Sequence, residues 1–85
     1  MNMRQVIEAL YKIKGKQVNV YTNHRLFGSQ CVNMIFDPET ELGLGFKCKG
    51  QSIYVDMDDV INCHIYDNEI VINGELMSIT IVTEN

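Results

Sequence analysis

Apolar positions recur at two different periods along this chain. Between residues 3 and 14, Met3, Val6, Ile7, Leu10, Tyr11 and then Ile13 or Lys14 follow the i, i+3, i+4, i+7 spacing of one helix face. Asn2 is placed to cap the start, with Gln5 three residues on to complete a capping box. Lys12 and Lys14 lie in the last turn, where positive charge suits the helix dipole, and Gly15 is a natural stop. A helix of about twelve residues is marginal by itself, so Val6, Ile7 and Leu10 are expected to dock on the rest of the chain.

After Gly15 the period falls to two. Val18, Val20 and Thr22 alternate with Gln17, Asn19 and Tyr21, and Asn23-His24 offers a turn. A longer strand segment is predicted from Leu26 to Phe36, with Gly28 as a bend or bulge. Asp37-Pro38-Glu39-Thr40 reads as a turn, because Pro fixes φ at the second position. Leu42, Leu44, Phe46 and Cys48 alternate with Gly43, Gly45, Lys47 and Lys49. The two bare glycines permit strong curvature or the close approach of another backbone. A turn at Lys49-Gly50-Gln51 leads to a strand through Ile53 and Val55, a short helical turn at 56–59, and a strand from Val60 to Tyr66. Asp67-Asn68 is a turn. Glu69 to Ile72 leads into Asn73-Gly74, a strong hairpin signal, and Leu76 to Val82 is the last strand.

The predicted core is Leu44, Phe46, Ile53, Val55, Ile61 and Ile79, with Cys48 and Cys63 inside it. One helix followed by short strands cannot build a two-sided α/β layer. The economical solution is mainly β: one domain over 1–85, with a helix at 3–14 plugging a small, strongly bent antiparallel β-barrel at 16–82, of about five to seven strands. Closing the sheet also deals with its edges.

Length and composition agree with a single small domain: 85 residues, 46% apolar and 21% charged. No apolar run approaches the roughly 18 residues of a membrane span. Met1-Asn2-Met3-Arg4-Gln5 lacks the layout of a secretion signal, so the expected location is cytoplasmic, away from membranes. Cys31, Cys48 and Cys63 are odd in number and widely spaced, which is a poor disulfide framework and suits buried thiols in a reducing compartment.

Charge is unevenly placed along the chain. The net charge is −4, but residues 1–25 (Arg4, Lys12, Lys14, Lys16 and Arg25 against Glu8) carry +4. Residues 51–85 carry −7 through Asp56, Asp58, Asp59, Asp67, Glu69, Glu75 and Glu84, with no Lys or Arg. An acidic protein repels phosphate backbones, which disfavours nucleic acid as a partner. A basic start and an acidic end suggest a molecule with two unlike faces, in which one copy could meet the next or a basic partner could bind.

No catalytic constellation emerges. Cys63-His64 are strand neighbours that point to opposite faces, and no Cys-x-x-Cys occurs. Asp56, Asp58 and Asp59 lack the central glycine and terminal glutamate of a calcium loop. Ser29, Ser52 and Ser78 sit in no nucleophile motif, and Gly43-x-Gly45 cannot cradle a phosphate without a third glycine and a following helix. The expectation is therefore no enzyme, no metal and no cofactor. Tyr11, Tyr21, Tyr54 and Tyr66 are candidate contact aromatics. The candidate interaction residues are Asp56, Asp58, Asp59, Lys12, Lys16 and Tyr54.

Two families of SH3-like small β-barrels have similar patterns. Val6-Ile7-x-x-Leu10, then Gly15-Lys16-Gln17-Val18-Asn19-Val20, then Arg25-Leu26-Phe27-Gly28 and Tyr54-Val55-x-x-x-Asp59-Val60-Ile61, resembles the Sm-like (LSm) proteins. Gly15-Lys16-x-Val18, Gly28, Phe36-Asp37-Pro38-Glu39-Thr40 and Asp59-Val60 is more weakly similar to the PRC barrel. Each similarity covers about residues 5–70, and the hairpin over 69–82 extends beyond the usual Sm ending. The Sm resemblance implies RNA contact at two loops. Here those loops are Asp37-Pro38-Glu39-Thr40-Glu41 and Asp56-Met57-Asp58-Asp59, acidic where RNA requires cations and stacking rings.

The expected function is accordingly a non-enzymatic protein-interaction or self-assembling module, with a protein partner or a homo-oligomer. One alternative is an Sm-like RNA-binding protein. Another is an acidic inhibitor of the phage type, occupying the nucleic-acid groove of a basic partner.

Overall fold

A computed structural model describes residues 2–84; Met1 and Asn85 of the expected domain lie outside them. The chain forms α1 (Met3–Lys12), β1 (Gln17–His24), β2 (Gly28–Ile35), β3 (Pro38–Glu39), β4 (Gly43–Cys48), β5 (Gln51–Asp56), β6 (Val60–Ile65), β7 (Glu69–Gly74) and β8 (Met77–Thr83). A single 3-10 turn, Met57–Asp59, joins β5 to β6. The fold is mainly β with one N-terminal helix, as the periodicities predict. All strand pairs are antiparallel, in a five-stranded sheet of order β2-β1-β8-β7-β6 and a three-stranded sheet of order β3-β4-β5.

Two corners join the sheets: Phe36-Asp37 between β2 and β3, and the 3-10 turn between β5 and β6. Among the described residues no ladder links the sheets edge to edge, so they meet through side chains. Inward residues of the large sheet are Val18 and Val20 (β1), Ile79 and Ile81 (β8), Ile70 and Ile72 (β7) and Cys63 (β6). They pack on Leu44, Phe46 and Val55 of the small sheet and on Phe36. The Phe36 and Phe46 rings lie 6.4 Å apart between centroids.

Helix α1 begins as its cap residue requires, with Asn2 Oδ1 accepting from the Gln5 amide at 3.0 Å. It ends two residues before the predicted Lys14, and Gly15 N donates to Phe36 O at 2.9 Å. Val6 and Leu10 enter the core, and Ile7 packs half-buried at its margin. The helix lies along β6, and Tyr11 Oη reaches Thr40 Oγ1 at 3.4 Å beside the small sheet. It thus bridges the gap between the sheets.

Several local expectations shift. Pro38-Glu39 forms a short strand against Phe46 and Gly45, so the turn falls at 40–42 and exposes Leu42. Gly28 closes the β1–β2 turn with φ of 84°, opposite His24, instead of bulging a strand. The Arg25-Leu26-Phe27 segment is therefore a hairpin tip. Lys49 and Gly50 both have positive φ, giving the two-residue β4–β5 hairpin its primed turn. Asn73-Gly74 does not turn. Both residues remain in β7, where Asn73 Nδ2 donates to Asn62 Oδ1 at 2.7 Å, and the turn follows at Glu75-Leu76. Ile61 leaves the predicted core because a register shift between Val60 and Asn62 turns it outward. Ile53 and Cys48 pack half-buried at the core margin.

Leu10 is fully buried on a helix too short to stand alone. Leu10→Ala is expected to lower unfolding stability by about 2–5 kcal/mol in urea titration. A loss below about half a kcal/mol, the range of surface substitutions, would mean that α1 is not part of the core.

Candidate functional site

The register sorts the charged residues by end of the large sheet. At the end where β1 begins and β8 finishes, Glu84 N donates to Gln17 O at 3.1 Å and Thr83 N to Asn68 O at 2.9 Å. Lys14 and Lys16 precede this end of β1. Lys12 shares a hollow there with Ile65, Tyr66, Asp67 and Glu69. Lys12 thus sits beside carboxylates. At the opposite end, Glu75 N donates to Asp59 O at 3.1 Å and Arg25 N to Leu76 O at 2.8 Å. Asp56, Asp58, Asp59 and Glu75 lie at this end, where Arg25 shares a hollow with Glu75. The carboxylates of the C-terminal third are divided between the two ends, because β1 and β8 are paired neighbours. Of the candidate interaction residues, Asp56, Asp58, Asp59 and Tyr54 come together, and Lys12 and Lys16 lie at the far end.

The acidic end carries the three most exposed large apolar side chains of the described residues, Phe27, Leu26 and Ile61, with Leu76 beside them. Leu26 is 76% exposed and Phe27 83% at the β1–β2 tip; Leu76 is 50% exposed at the β7–β8 tip; Ile61 is 66% exposed at the start of β6. The Arg25–Leu76 backbone bond ties the two tips. Leu76 stands between two shallow hollows, one lined by Arg25, Ile61 and Glu75 and the other by His24, Tyr54, Asp56 and Asp59. The tips are built locally. His24 Nδ1 accepts from Leu26 N at 3.0 Å, and its ring packs on Phe27 with centroids 4.7 Å apart. Asp56 Oδ1 accepts from Asp58 N at 2.9 Å and fixes the acidic turn. The result is an apolar crest in a rim of carboxylates.

Other polar groups are engaged within the fold. On the outer face of the large sheet, Gln17 donates to Asn33, and Asn33 donates to Asn19 at 2.7 Å and to Glu84 at 2.6 Å. Ser29 reaches Asn23 at 3.2 Å. Glu39 is buried, with Oε1 accepting from Glu41 N at 2.9 Å and Oε2 from Ser52 Oγ at 3.3 Å, and Lys47 Nζ lies 3.5 Å away. The Glu41 amide foremost, with Lys47 and Ser52, holds the Glu39 carboxyl below its usual range against the opposing effect of burial. Cys63 points inward and His64 outward, and burial pushes the Cys63 thiol up. Cys31 is exposed and Cys48 half-buried. Among the described residues no three His, Cys, Asp or Glu side chains form a metal-holding group. No helix of the described residues is long and apolar enough to cross a membrane.

Sequence periodicity misses the crest because Leu26 and Leu76 read as strand residues and Ile61 as an inward one. The available signal is the Leu26-Phe27 doublet between His24-Arg25 and Gly28, two large apolar residues inside a segment with turn chemistry at both ends. Comparisons with protein-family models, curated proteins and solved structures found no match for this chain.

Two measurements check the chemistry of this arrangement. In native protein a thiol reagent should modify Cys31 first and Cys63 last; early loss of Cys63 would place it outside the core. Glu39 has a depressed folded-state pKa, so its stabilisation is complete above the ordinary glutamate value of about 4.3 and is lost as pH falls through the folded value. Glu39→Gln should flatten the acid limb of the stability–pH curve below about pH 4.3. Superimposable acid limbs would place that sensitivity in other carboxylates.

Proposed function

We propose that this chain is a non-enzymatic protein-interaction module that docks a partner on the crest formed by Leu26, Leu76 and Ile61. The observation that carries this reading is the coincidence of the apolar crest with the carboxylate rim at one end of the molecule. Exposed apolar side chains rimmed by charge mark contact sites more often than solvated surface. The partner's chemistry follows from the rim: apolar anchors flanked by Lys or Arg, steered by Asp56, Asp58, Asp59 and Glu75. Tyr54, at the border of both features, supplies a ring with a polar tip.

The small bent antiparallel sheets support an Sm-like kinship in architecture only. The loops at which that kinship implies RNA contact carry Asp37, Glu39 and Glu41, and Asp56, Asp58 and Asp59. An acidic inhibitor of the phage type, occupying the nucleic-acid groove of a basic partner, would use this same acidic end, and competition by nucleic acid for the partner identifies that variant.

A photo-crosslinking residue at position 26 should join the chain to a protein in extract of its own cells at low salt. Asp56→Asn with Asp58→Asn and Asp59→Asn should reduce the yield several-fold, and Leu76→Ser should abolish it with the melting temperature unchanged. Equal yield from a crosslinker at exposed position 4, or adducts with RNA in place of protein, would overturn the reading.

A further inference from the structure

Each sheet has two outer strands, and three of these four edges are guarded. β6 has a bulge between Val60 and Asn62 and is flanked by α1. β3 is two residues long and contains Pro38, which has no amide hydrogen to offer. β5 curls onto β7 and β8. β2 has none of these devices. It runs eight residues, Gly-Ser-Gln-Cys-Val-Asn-Met-Ile, in unbroken register with β1 and without a charge or a proline. Its other side has no strand partner among the described residues.

We propose that the β2 edge pairs with β2 of a second copy, antiparallel about a two-fold axis at Cys31, joining two five-stranded sheets into one of ten. This does not rest on the crest described above. Unpaired backbone N–H and C=O groups on a flat extended strand are complementary to another such strand. The side chains select a second copy. Phe27 (83% exposed), at the hairpin tip just before β2, and Ile35 (57% exposed), the last residue of β2, stand four residues to either side of Cys31, so the two-fold brings the tip of each copy towards Ile35 of the other. Exposed apolar groups at both ends of the strand then cover one another twice, the self-complementarity a closed dimer requires. Ser29 meets Asn33 of the second copy, and Cys31 meets Cys31. Charge gives the same answer. The chain carries a net −4 and repels itself in general, but no pair opposed along this edge contains a charge.

Light scattering after size exclusion should give the mass of two 9.7 kDa chains for the native protein and for Cys31→Ser. Cys31→Lys places like charges beside the axis and should run as a monomer with an unchanged circular dichroism spectrum. Cys31→Glu should do the same, and mixing the Lys and Glu variants should restore the dimer, which a misfolded variant could not do. Copper-phenanthroline oxidation of native protein should give a covalent dimer through Cys31. Leu26→Ser with Leu76→Ser should leave the dimer intact, which separates this proposal from the crest reading. A native monomer at the highest soluble concentration, a larger ring, or a dimer that survives Cys31→Lys would overturn the proposal.

Discussion

The structure depends on how closely the backbone of β5 approaches that of β4. A Cβ at Gly45 would collide with the carbonyl oxygen of Ile53 and with Cα of Tyr54, and one at Gly43 would collide with the carbonyl of Val55 and the Tyr54 ring. Neither glycine is needed for a left-handed φ; both are needed for space. With the strands this close, the small sheet coils enough for Leu44, Phe46 and Val55 to face Ile72, Ile79 and Ile81 across the core. Each such side chain contributes about 1.5–3 kcal/mol when fully buried. The bare glycine surface also leaves room for Tyr54 on one side and the buried Glu39 on the other. At the far end of β5, Gly74 admits the Val55 side chain against β7.

The proposed interaction surfaces follow from that geometry. Because β5 coils over the large sheet, its end delivers Tyr54 and the Asp56–Asp59 turn beside the tips of the β1–β2 and β7–β8 hairpins. The carboxylates of the third quarter of the chain thereby come beside apolar residues of the second and last quarters. The outer face of the large sheet is already satisfied by its own amides, from Gln17 through Asn33 to Glu84. What remains open is the crest and the β2 edge, which adjoin at the β1–β2 tip.

Much of this was legible in the sequence, because buried alternation is a strong signal. The helix stripe identifies Val6 and Leu10, and strand alternation places Leu44, Phe46, Val55 and Ile79 inward, where the structure has them. The Asp56–Asp59 turn was also read correctly. The failures occurred where local turn chemistry competes with tertiary pairing. Asn73-Gly74 is a hairpin signature, yet the Asn73–Asn62 bond and the fit of Gly74 against Val55 keep both residues in the ladder. Asp37-Pro38 is a turn signature, yet Pro38 suits an edge strand whose outer side needs no donor. Ile61 fits a core pattern until one bulge turns it outward. The distribution of the C-terminal carboxylates over both ends is not legible in the sequence, because it follows from the pairing of β1 with β8, which brings Glu84 beside the start of β1.

The most direct test is equilibrium urea unfolding of Gly45→Ala. The close approach of β4 and β5 predicts a loss of at least about 1–3 kcal/mol, the usual range for overpacking, and more if the backbone cannot give way. A midpoint and slope equal to those of the native chain would show that β4 and β5 have room for a methyl group, and would contradict the packing from which the crest and its rim are derived.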